Sequence, residues 1–147
     1  MSAHSWLRWA VLISGVIAVV LAFRGVSGNR AWTQTDRKAQ LAYITSLDLQ
    51  FLLGILLYLV SPLIRGGLAD FGGSMKVGAI RFFLMEHLVL MVAALAVAHI
   101  FSARSKKAVS DTRRQKTWRT GALVSLLLVL ASIPWPFLSF GRPLFRM

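Results

Sequence analysis

The residues with most capacity for chemistry are a Glu-His step, Glu86-His87, and a second histidine, His99, inside the apolar segment RFFLMEHLVLMVAALAVAHIFSAR from Arg81 to Arg104. Imidazole binds transition metals and moves protons near neutral pH, and a nearby carboxylate tunes either task. The 22 residues between the two arginines reach about 33 Å as an α-helix, close to the roughly 30 Å of bilayer hydrocarbon. Ionisable side chains are expensive at that depth, so each must face another helix, a water-filled cavity or a bound group. His87 and His99 lie about 18 Å apart along one helix and cannot serve the same metal ion. A shared site therefore needs residues from elsewhere, and the available ones are His4 and Arg8 near the N-terminus and Asp48 in the second apolar run.

Composition says what surrounds these groups. A chain of 147 residues has room for one domain, here residues 1–147, and 56% hydrophobic content with mean hydropathy +0.66 makes lipid the expected solvent. Seventeen Lys and Arg oppose five acids, for a net charge of +12. Such a charge suits nucleic acid, but these basic residues edge long apolar runs, where they anchor helix ends and attract anionic headgroups; no nucleic-acid partner is expected. With no cysteine, disulfides, thiolate metal sites, iron–sulfur clusters and covalently attached haem are excluded. The chain also lacks a phosphate-binding glycine loop, a nucleophile elbow and an H-E-x-x-H zinc helix, which points to a carrier or subunit rather than a stand-alone enzyme.

Four apolar runs give spans of approximately 5–27, 39–64, 81–103 and 119–140. The second ends near Pro62, a glycine-rich connection follows it, and Pro134 and Pro136 disturb the end of the fourth. A secretory signal is the rival reading of the first run, but no A-x-A-like site follows Phe23 and three more runs come after it. The expected architecture is an all-α integral membrane protein, an antiparallel up-down four-helix transmembrane bundle. One side then holds eleven basic residues: Arg24, Arg30, Arg37, Lys38, Arg104, Lys106, Lys107, Arg113, Arg114, Lys116 and Arg119. The other holds six, namely Arg8, Arg65, Lys76, Arg81, Arg142 and Arg146. The positive-inside rule makes loops 28–38 and 104–118 cytoplasmic and leaves both termini outside, and the tryptophans fall at the two surfaces.

Counting about 1.5 Å per residue from the middle of each run puts Arg8 about 10 Å, and Glu86 and His87 about 8 to 9 Å, to the outer side of the midplane. Arg8 and Glu86 are thus expected to pair, since a cation keeps a buried carboxylate charged. Asp48 and His99 fall about 5 and 10 Å to the cytoplasmic side. A hydrogen bond between them needs tilt or a water, and would either join two spans or serve a proton path or an axial ligand. His4 falls about 16 Å out, about 8 Å beyond His87. It is an interfacial histidine unless the first span tilts strongly.

The elements His4-Ser-Trp-Leu-Arg8-Trp9, Asp48-Leu-Gln50 with Gly54 and Tyr58, Arg81-Phe-Phe-Leu-Met-Glu86-His87 and Ala98-His99 resemble small four-span bacterial membrane proteins labelled cytochrome b-like, over nearly the whole chain. The resemblance implies a non-covalent haem b in the bacterial inner membrane and an electron-transfer role, within a larger redox complex or as a homodimer. It draws the iron ligands from His87 and His4, with His99 as a further cofactor-binding candidate. Arg8, Asp48 and Glu86 then serve packing or a proton path. Two alternatives stay open: a cofactor-free accessory subunit of a membrane redox complex, and an ion-coupled carrier using Asp48, Glu86 and His99, which would need a dimer.

Overall fold

The structure, a computed structural model, describes residues 2 to 143; the expected outer-side Arg146 lies outside them. Among the described residues the regular structure is helical throughout. Helix α1 (Ser2–Ser27) stops at Gly28 and Asn29, where Asn29 takes a left-handed backbone (φ 45°), a conformation asparagine adopts more readily than most residues. Thr33 caps α2 (Gln34–Val60) by accepting from the Asp36 N–H at 3.3 Å, while the Asp36 carboxylate accepts the Thr33 N–H at 2.8 Å. Pro62 ends that helix by forcing Ser61 into an extended conformation and opens α3 (Pro62–Ala69) as its first residue.

The glycine-rich connection is more ordered than the sequence suggests, with short helices α4 (Phe71–Ser74) and α5 (Gly78–Arg81) following α3. A π-helical turn, Phe82–Glu86, then leads into α6 (His87–Lys106). The expected basic loop shrinks to a few residues, because Ser110 caps α7 (Asp111–Ser132) by accepting from the Arg113 N–H at 3.2 Å. Pro134 places Ile133 in an extended conformation and ends α7 eight residues before the expected 140.

Three helices, Ala3–Ser27, Gln34–Val60 and Gly78–Lys106, are long and apolar enough to cross a membrane. In α7 the uncharged helical part, Thr120 to Ser132, spans only about 20 Å. The long helices pack side by side in the cyclic order α1, α2, α6, α7. Their shared core includes Val11, Tyr43, Leu47, Ala94, Trp118 and Leu126. Small residues set the spacing: a β-carbon on Gly15 would stand 2.9 Å from both Leu126 and Tyr43, and one on Gly121 would collide with Phe101. One polar chain crosses the core, with Tyr43 Oη 2.8 Å from Ser125 Oγ, which donates to the Ala94 carbonyl at 2.9 Å. The exterior of these helices is apolar, with Ile13, Leu52, Leu56, Val89 and Leu127 all exposed.

Candidate functional site

At the end of the molecule where α1 begins and α2 ends, the helices leave a partly open cavity of about 170 Å³. Its walls include Val11, Leu57, Ile64, Phe83, Met91 and Val129. Into it turn His4 and Arg8 from α1, Gln50, Gly54 and Tyr58 from α2, His87 from the start of α6, and Arg142 from the segment after α7. No carboxylate lines it among the described residues.

His87 is held by a hydrogen bond from Nδ1 to the Ser132 carbonyl at 2.7 Å. That bond requires the proton on Nδ1, which leaves Nε2 as the nitrogen with a free lone pair. His4 approaches from α1, its ring centre 6.4 Å from that of His87 and the planes 72° apart. The outward offset expected between them is therefore closed. Gln50 positions His4 twice, with its Nε2 3.1 Å from the His4 carbonyl and 3.2 Å from His4 Nε2. His4 Nδ1 and Gln50 Oε1 are buried with no hydrogen-bond partner among the described residues. Gly54 makes room for this imidazole, since a β-carbon there would stand 3.3 Å from His4 Cε1. Burying such atoms unpaired is costly, and a guest in the cavity is one way to satisfy them.

The π turn shapes the wall beside His87. Tyr58 Oη donates to the Leu84 carbonyl at 2.8 Å, and π turns are frequent at functional sites. The turn also overturns the expected Arg8–Glu86 pair. Glu86 instead accepts from Arg81 Nε at 2.7 Å, with both side chains close to half exposed, and no Arg8–Glu86 pair occurs among the described residues. Positions five apart diverge by roughly 140° on an α-helix, whereas the i→i+5 bonding of a π turn returns them to one side. Arg8 turns instead to the cavity, with its guanidinium 6.0 Å from the centre of the Trp9 ring.

His99 and Asp48 do meet, Nε2 to Oδ1 at 2.7 Å, but they lie well away from the cavity on the outer face of α2 and α6. His99 is therefore not brought to His4 and His87. Ser132 and Arg142 are the residues that sequence reasoning missed. The Pro134-Trp135-Pro136 stretch turns the chain back so that the Arg142 N–H donates to the Pro134 carbonyl at 3.0 Å, and its guanidinium lies 4.0 Å over the Phe83 ring. The two prolines were the available signal for that return. Comparison with protein-family models, with curated proteins and with solved structures finds no match.

Proposed function

We propose that this chain is a four-span antiparallel membrane bundle that holds a b-type haem between His4 and His87 and passes electrons through it. The observation that carries the reading is the 6.4 Å between the two ring centres, across 83 residues of sequence. Two imidazoles sharing one metal ion, each with its nitrogen about 2 Å from it, would bring their ring centres to roughly 6 Å. His87, oriented by Ser132 with Nε2 unprotonated, offers a lone pair to an electrophile, and the His4 ring beside it supplies a second when it exchanges its Gln50 bond for the iron. When bound, haem supplies one-electron chemistry. The chain's own contribution is to fix the ligand rings through Gln50 and Ser132, to exclude water with apolar walls, and to place Arg8 and Arg142 where carboxylate substituents can be neutralised. Membrane insertion is supported by the three long apolar helices and the apolar exterior.

The test is haemin titration of the detergent-purified protein. A sharpened, red-shifted Soret band and split α and β bands on dithionite reduction are expected, lost in His87→Ala and changed to a five-coordinate spectrum in His4→Ala. A folded wild-type protein that leaves the haemin spectrum unchanged overturns the proposal. The cavity volume favours a second reading, the cofactor-free subunit. About 170 Å³ is near the 150 Å³ that takes benzene and below the roughly 300–1,000 Å³ of sites that enclose drug-sized ligands, so a tetrapyrrole must protrude through the open side. That second reading expects no haemin response and co-purification with a membrane redox complex.

A further inference from the structure

We propose that the face of α2 and α6 around Asp48 and His99 is the contact between two copies of this chain. The inference rests on the membrane reading above and is independent of haem. The Asp48 and His99 side chains are 40% and 51% exposed, on helices whose neighbouring outward residues Leu52, Val92 and Ile100 are apolar and exposed. An ionisable pair within a membrane span faces other helices or a cavity rather than hydrocarbon. This one faces outward, so a protein surface of matching polarity must cover it.

The chemistry identifies that surface. Within the chain the pair uses one carboxylate oxygen and His99 Nε2, while Asp48 Oδ2 and His99 Nδ1 have no hydrogen-bond partner among the described residues. Each copy thus presents a carboxylate oxygen and an imidazole nitrogen on one exposed face. A two-fold axis sets each imidazole against the carboxylate of the second copy, which is the self-complementarity an isologous dimer requires. Thr45 and Ala96, each one turn away and both exposed, are small enough to let the backbones approach.

The chain has no cysteine, so single cysteines report position without background. Ala96→Cys and Thr45→Cys, treated in native membranes with a short bis-maleimide, are expected to give a product of twice the chain mass. Leu127→Cys, exposed on α7, is expected to stay monomeric. Adding Asp48→Leu with His99→Leu to Ala96→Cys should lower cross-linking at least tenfold. The proposal is overturned by equal cross-linking at 96 and 127, by no homodimer at 45 or 96, by a product with a different protein, or by undiminished cross-linking in the leucine variant. If the leucine variant does not fold, the cysteine comparison in the otherwise native chain decides alone. Release of the protein by a carbonate wash overturns the membrane reading and this interface together, whereas a carbonate-resistant monomer overturns only the interface.

Discussion

Replacing Asp36 by Ala should unfasten the end of the molecule opposite the cavity. Its carboxylate, 3% exposed, accepts from both Arg30 guanidinium nitrogens at 2.7 and 2.9 Å, from Thr33 N and Oγ1 at 2.8 and 2.9 Å, and from Gln115 Nε2 of α7 at 3.2 Å. It therefore ties the α1–α2 connection and the start of α2 to α7. The lost arm of the capping box costs about 1 kcal/mol. The buried bond from Gln115 to a charged acceptor contributes roughly 1.5 to 3 kcal/mol. The Arg30 pair is discounted to about 0 to 1 kcal/mol because that side chain is 36% exposed. Hydrogen bonding to Asp36 pushes Arg30 further above its ordinary pKa; without Asp36 that rise is lost, and the guanidinium stays charged because its ordinary pKa already lies far above neutral. Together the loss should be about 4 kcal/mol, a large part of a typical domain's 5–15 kcal/mol. The assay is unfolding in mixed micelles of rising SDS fraction, followed by far-ultraviolet circular dichroism. Asp36→Asn, which keeps one acceptor oxygen, should lose roughly half as much on these terms. An alanine variant within about 0.5 kcal/mol of wild type, or an asparagine variant less stable than the alanine one, refutes the reasoning, since such terms cannot cancel without another partner for Gln115.

Glu86→Gln should change stability by no more than about 0.5 kcal/mol in the same assay, because the Arg81–Glu86 pair is exposed on both sides; a loss above about 2 kcal/mol would restore a buried partner such as Arg8. Gly54→Val should keep the wild-type helicity while weakening haemin binding at least tenfold by spectral titration, since its β-carbon begins 3.3 Å from His4 Cε1 and its methyl groups must displace that ring. Unchanged haemin affinity would remove His4 from the site.

The helical class was legible because apolar runs of this length leave little else to form, and the Asp48–His99 contact was legible in part, because both residues fall on the cytoplasmic side of runs expected to be neighbours, although their difference in depth demanded tilt or a water. Failures had local causes. Depth counted along straight, upright helices ignores tilt and the π turn, so it separated His4 from His87 and joined Arg8 to Glu86. No residue type in FFLME announces i→i+5 bonding. The charges of Arg104 to Arg119 read as a solvated loop, yet Ser110 caps a helix at Asp111 that keeps Gln115 and Trp118 buried. Thr33-x-x-Asp36 was a readable capping signature that places the start of α2 at Gln34 rather than 39. Arg142 could not be placed, because nothing before it fixes how far two prolines turn the chain.

The distribution of space argues for where function resides. Near its middle and toward the connection between α1 and α2, the molecule is filled so closely that Gly15 and Gly121 admit no β-carbon without a shift. At the other end it leaves about 170 Å³, which as a sealed apolar void would cost about 4 kcal/mol. Openness and polar lining make that an upper figure. One larger aliphatic side chain could reduce the void, and stability alone would favour it. The space is bordered instead by two imidazoles, two guanidinium groups, an amide and a phenol, a set that packs poorly and binds well. A cavity lined with converging polar groups supports the proposed site more strongly than any single residue does.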